Sequence, residues 1–209
     1  MPDDGVDEQK RTTLRRFATL GAITPLASID TDTTKTFTSL EEKSLARDAI
    51  TGYLSLAPGV HFSKIRDDLQ LGTGETQYHL KQLTDDNIIE SYRDGEYRRF
   101  YPSGRFTTFQ KVTLAHLRKQ TARQLIIELL KNPNLSGREL AEKLDVSEAT
   151  ISKTAKSLES ADILTRNNGY TLTEPETILV LLLRYAESFD EVTSQFASTA
   201  RSLIEYSPD

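Results

Sequence analysis

The chain has 209 residues, 37% hydrophobic and 27% charged, with a formal net charge of −5. That length admits one large domain or two small ones, and the composition suits modest cores that gain from association. There is no cysteine, and His61, His79 and His116 are scattered, so disulfides and thiolate metal sites are excluded and no histidine metal centre is expected.

No apolar run approaches the length that spans a bilayer. The charge is unevenly distributed. Residues 97–127 carry seven bases (Arg98, Arg99, Arg105, Lys111, Arg118, Lys119, Arg123) and no acid, whereas residues 174–209 carry seven acids against Arg184 and Arg201. A polyanionic partner would meet the basic belt rather than the net charge.

Taken in order, residues 1–39 are rich in Asp and Thr and read as a partly disordered extension with one short amphipathic helix, roughly 9–22. Arg15-Arg16 ahead of apolar residues raises a twin-arginine export signal. Thr19, Thr24, Pro25 and Ser28 interrupt that apolar stretch, and Phe17 follows the pair with no spacer. The segment is therefore expected to stay on the mature protein and to pack on the body or on a partner subunit.

Leu45, Ala49, Ile50, Tyr53 and Leu54 then recur at helical spacing, with Ser39 and Glu42 as a capping box and Pro58-Gly59 as the stop. Ile65 and Leu69 mark a second helix, and residues 71–74 (Leu-Gly-Thr-Gly) a turn. Thr76, Leu80 and Leu83 mark a third helix running to Asn87. Residues 88–92 alternate as a strand, residues 93–96 turn, and residues 97–101 return. A helix-turn-helix followed by a hairpin is the layout of a winged helix, whose second helix can enter a major groove.

Residues 107–131 read as a linking helix with a break near Gln120, ended by Asn132-Pro133-Asn134. The pattern then repeats at an offset of 75 residues. Pro58 falls on Pro133, Ile65 on Leu140, Leu69 on Leu144, Leu71 on Val146, Thr76 on Ile151, Leu80 on Ala155, Leu83 on Leu158 and Ile88 on Ile163. Ser136 with Glu139 forms a capping box, Ser147 and Thr150 mark the next helix start, and the second hairpin turn is one residue shorter. An ungapped internal match means tandem units. After it, residues 174–206 form one or two helices in which the run 178–183 is apolar on more than one face.

The fold expected is mainly α with small β-hairpin wings. The divisions are an extension (1–39), a first winged helix (40–106), a linker helix with a second winged helix (107–173) and a C-terminal helical dimerisation segment (174–209).

Residues 59–102, with Gln77-Tyr78-His79-Leu80 on the third helix and Arg93-Asp94-Gly95 and Tyr97-Arg98-Arg99 in the hairpin, resemble the winged helix-turn-helix of archaeal transcriptional regulators related to the MarR and ArsR families. The match covers about a fifth of the chain. The resemblance implies a cytoplasmic, sequence-specific regulator of transcription that binds double-stranded DNA, and the small size of each unit suggests a homodimer. The lack of cysteine, the excess of arginine over lysine and the mild acidity fit a halophilic archaeal source.

With Thr76, Leu80 and Leu83 inward, the reading face of the first unit carries Glu75, Gln77, Tyr78 and Lys81. Gln can bond adenine bidentately, and Lys can reach guanine or phosphate. Glu75 is expected to serve the helix dipole, and His79 to pack or to contact a backbone phosphate rather than read a base. In the wing, Arg93, Tyr97, Arg98 and Arg99 are candidates. Strand alternation puts Arg98 and Arg99 on opposite faces, so one reaches phosphate or minor groove and the other pairs with Asp94 or Glu96.

In the second unit the candidates are Thr150, Ser152, Lys153 and Lys156 on the helix and Arg166, Asn167 and Asn168 in the wing. No phosphate loop, nucleophile elbow or HExxH motif occurs, so no enzyme, cofactor, metal or small-molecule ligand is expected. Two alternatives stand beside regulation: an architectural or replication/partition protein of low sequence specificity, and a winged-helix scaffold for protein partners.

Overall fold

A computed structural model of the chain describes residues 4–21, 34–167 and 169–200. The chain divides into two compact units, Met1–Arg105 and Phe106–Asp209.

In the first unit, α1 (Asp4–Gly21) packs along α2 (Thr34–Leu56). Leu14 and Ala18 are buried, and the Phe17 ring meets Tyr53 edge-on at 5.4 Å. Residues 4–21 are thus an amphipathic helix in the folded unit, starting five residues before the expected position, and residues 22–33 lie outside the described residues. The helix expected from residue 40 starts at Thr34, which puts Ser39 inside it and rules it out as an N-cap. Residues 34–39 contain neither Gly nor Pro, so nothing local halts the helix there.

Next come β1 (Val60–His61), α3 (Phe62–Asp68), α4 (Thr73–Asp85), β2 (Ile89–Asp94) and β3 (Tyr97–Pro102). The strands form an antiparallel sheet in the order β1-β3-β2. Ile50, Leu54, Ile65, Leu69, Leu83 and Ile89 are fully buried at the centre of this unit. Each such side chain contributes about 1.5–3 kcal/mol by leaving water. Two local details differ from the sequence reading. Thr73 and Gly74 belong to α4, so the turn between helices is shorter. Arg93 and Asp94 belong to β2, so the wing turns on Gly95-Glu96 alone, with Gly95 at φ +59°.

The second unit opens with α5 (Thr108–Leu117) and α6 (Gln120–Lys131), broken at Arg118-Lys119. Thr107 and Gln110 form a capping box at the start of α5. At the break, Arg123 Nη1 donates to the Leu117 carbonyl at 2.6 Å, satisfying an acceptor that α5 leaves open. There follow α7 (Gly137–Leu144), α8 (Glu148–Glu159), β4 (Leu164–Thr165), β5 (Thr171–Leu172) and α9 (Pro175–Tyr185). A 3-10 turn (Ala186–Ser188) and α10 (Glu191–Ala200) complete it.

The 75-residue repeat holds in the backbone. Helices start at Phe62 and Gly137, and again at Thr73 and Glu148. Left-handed residues recur at the same offset: Gln70 and Asp145 (φ 54° and 52°), then Asn87 and Asp162 (both 56°). The bond from Ile88 N to Leu83 O (2.9 Å) recurs from Ile163 N to Leu158 O (3.0 Å). The wings then diverge. Ser103 N closes on Ile88 O, fifteen residues on, but Thr173 N closes on Ile163 O, only ten on. The second wing is therefore shorter by more than the single turn residue expected.

Most of the apolar run 178–183 is covered within its own unit. Ile178, Leu181 and Leu182 are buried, Leu179 and Leu183 are half-buried, and Val180 is 59% exposed. In α10, Thr193, Phe196, Ala197 and Ala200 face inward. A buried guanidinium holds α10 in place. Arg123 Nε donates to Thr193 Oγ1 at 3.0 Å and Nη2 to the Asp190 carboxylate. The Phe189 ring lies under Arg118 (4.4 Å) and Arg123 (5.2 Å). Burial works to raise the Asp190 pKa, yet hydrogen bonds from Thr193 and Arg123 hold it below the usual carboxylate value. Among the described residues no helix is long and apolar enough to cross a membrane.

Candidate nucleic-acid interface

In α4 the inward set is Thr76, His79, Leu80 and Leu83, all buried. Of the two roles expected for His79, its burial favours packing. The opposite side presents Gln77, Tyr78 and Lys81, all exposed. Lys81 pairs with Asp85 at 2.6 Å one turn on, a hydrogen bond that raises its pKa. Both partners are solvent-accessible, so the ammonium can exchange that carboxylate for another anion at small cost. The Tyr78 hydroxyl accepts from Gln82 Nε2 at 2.8 Å, which fixes the ring against the helix surface. Glu75 accepts from Gly72 N at 3.2 Å and from Lys10 Nζ at 3.0 Å, so it serves the start of the helix rather than its outward face.

The wing separates its arginines. Arg93 and Arg98 are cross-strand partners, so both side chains leave the same face, and both are exposed. Arg93 Nε donates to Gly95 O (3.3 Å) and Arg98 Nε to Ser91 Oγ (2.8 Å); neither bond neutralises the charge. Two like charges directly opposite each other cost stability and are relieved by an anion.

Arg99 lies on the other face and is only 4% exposed. It pairs with Asp94 at 2.7 Å, donates to Gly59 O at 3.0 Å, and sits 5.7 Å from the Tyr97 ring centroid. Burial therefore removes Arg99 from the interface: it is the wing arginine that pairs with Asp94, because the central strand turns it toward the sheet's own edge.

Tyr97 is 53% exposed and stacks obliquely on His61 at 5.2 Å. His61 caps α3, its Nδ1 accepting from Lys64 N at 3.3 Å. Burial, then Arg99 and Lys64, lower its pKa.

In the second unit, Ser152, Lys153 and Lys156 are exposed along α8. Thr150 is half-buried and engaged with its N-cap, Ser147, through both its amide and its hydroxyl. Arg166 folds back on Glu159 of α8, with Nε at 2.8 Å and Nη2 at 2.5 Å, a pairing that holds Glu159 below its ordinary pKa. Asn167 is exposed, and Asn168 lies outside the described residues. The return strand is Thr171–Leu172 and carries no base.

Several bases of the run 97–127 are buried or engaged within their own unit. Arg99 and Arg123 are buried, and Arg118 donates to Ser188 O at 2.7 Å. Sequence reasoning missed Lys10, whose spacing of four from Leu14 and eight from Ala18 places it on the packed edge of α1. It also missed β1, too short to show a strand period. Among the described residues no cluster of His, Cys, Asp or Glu is placed to hold a metal ion.

Two family models match the chain. Residues 44–114 match a family described as an N-terminal HTH domain, and residues 121–171 match one described as an HTH domain. The chain is also 28% identical over 127 residues to an uncharacterised HTH-type transcriptional regulator of Methanocaldococcus jannaschii. That match covers 59% of this chain and about a third (32%) of the relative's length. No solved structure matches. The chain carries two helix-turn-helix domains in tandem, one over residues 44–114 and one over residues 121–171.

Proposed function

We propose that the protein is a sequence-specific transcriptional regulator that binds double-stranded DNA, of the MarR- and ArsR-related winged-helix kind. The observation that carries this reading is a division of labour within the first unit. An exposed helix face offers Gln77 and Lys81 to base edges, and a wing offers the uncompensated pair Arg93–Arg98 to phosphate. In the second unit, Lys153 and Lys156 offer charge to the backbone with fewer base-reading groups nearby. The chain works as a homodimer in the cytoplasm, paired through its C-terminal helices, where Val180 and Val192 are large apolar side chains left outside.

Genome-wide recovery of bound DNA tests the reading. A small set of focused sites with a shared sequence supports it. Broad coverage would favour an architectural role, and failure to bind any duplex at low salt would favour a scaffold for protein partners. Sedimentation of Val180→Asp tests the pairing: a dimer unchanged by the charge rules out this face.

A further inference from the structure

We infer that α1 is a third element of the DNA interface, supplying a phosphate contact through Arg16 and cancelling the charge of Glu75 through Lys10. This rests on the DNA-binding reading above, and α1 lies outside both matched HTH segments. A recognition helix meets the duplex through its N-terminal residues, so the strand it reads passes close to the first turn of α4. Glu75 stands in that turn, where its carboxylate would repel a phosphate.

Lys10 reaches across from α1 and pairs with Glu75 at 3.0 Å. The edge of α1 beside the α3–α4 turn is also polar: Glu8, Gln9, Thr12 and Thr13 line an open cleft with Gln70, and Glu8 is the one acid among them. At 100° per residue, Arg16 lies on this same edge, three residues after Thr13 and seven after Gln9. Arg16 is exposed. Arg15, also exposed, is turned about 100° away and serves as an internal control. Leu14, Phe17 and Ala18 hold the helix on the core, so these charges are presented by a fixed element. Docking of α1 therefore neutralises Glu75 at the leading end of α4, and the same helix presents the Arg16 guanidinium six residues beyond Lys10.

The test uses the full chain carrying Arg16→Gln, Arg15→Gln, Lys10→Gln, or Lys10→Gln with Glu75→Gln. Each is titrated on a recovered site and on a scrambled duplex from 50 to 200 mM salt, with helix content checked by circular dichroism. Arg16→Gln is expected to weaken both duplexes equally and flatten the log–log salt slope by about one unit. Its deficit should then shrink about threefold over that range of salt. Lys10→Gln should weaken both duplexes, and adding Glu75→Gln should restore them. Arg15→Gln should match the wild type. An unchanged Arg16→Gln, an Arg15→Gln equal to it, or no rescue by Glu75→Gln would overturn the inference while wild-type binding stands. A wild type that binds no duplex would instead overturn the functional reading itself.

Discussion

The two winged units share a helix pair repeated at 75 residues, yet each spends its buried arginine differently. In the first, Arg99 is sunk at the base of a wing with six-residue strands, tied to Asp94 and to the Gly59 carbonyl. In the second the wing has two-residue strands and its arginine, Arg166, stays outside on Glu159. The buried guanidinium there is Arg123, and it holds α10 through Asp190 and Thr193. In each unit the buried guanidinium sits where an element projecting from the common core needs an anchor. The shared helices need none, because their apolar faces already hold them. The first unit is thereby built to present a long stiff wing, and the second to carry additional helices.

That contrast can be broken most directly at the anchors. Asp94→Ala leaves Arg99 buried and unpaired, which should cost the first unit about 3–5 kcal/mol in urea unfolding. Asp190→Ala should destabilise the second unit by less, since Asp190 is 30% exposed while Asp94 is 11% exposed. Losses under about 1 kcal/mol would reduce both to ordinary surface pairs. Next in size is base reading. Gln77→Ala should cost about 1–3 kcal/mol on a cognate site and little on scrambled DNA. Equal losses on both duplexes would mean that α4 reads no sequence.

Arg98→Ala should weaken all duplexes alike and reduce the salt slope by about one unit. Arg99→Lys, by contrast, should alter stability before salt dependence, because Arg99 is buried.

Acid sharpens the comparison further, since His61 belongs to β1, a strand that the described residues of the second unit lack. The folded state holds His61 below its ordinary value, chiefly by burial and then by Arg99 and Lys64. The unfolded chain therefore takes up its proton first. This part of the first unit's stability is complete above about pH 6.5 and is lost as the pH falls through the lowered folded value. His61→Asn keeps a capping acceptor and should abolish that dependence in pH-resolved melts. The smallest effects are expected from Ser152→Ala and Lys153→Ala, whose binding losses should fall below those of Gln77→Ala and Arg98→Ala. Losses as large would give the second unit an equal part in reading DNA.

Periodicity alone determined the tandem helix pairs and the inward places of Thr76, Leu80 and Leu83 and their counterparts Ile151, Ala155 and Leu158. Those follow from one helical turn burying one face, a property written within a few residues. The alternation of the first wing likewise put Arg98 and Arg99 on opposite faces, but not which of them faces water. Tertiary structure decided that Arg99 is sunk against Gly59, that Arg123 meets Asp190, that Lys10 meets Glu75, and that the apolar run of α9 is largely covered inside its own unit. The bonds joining the first three pairs span 40, 67 and 65 residues. A guanidinium or ammonium looks the same in sequence whether exposed or buried, because its partner is brought to it only when distant elements pack.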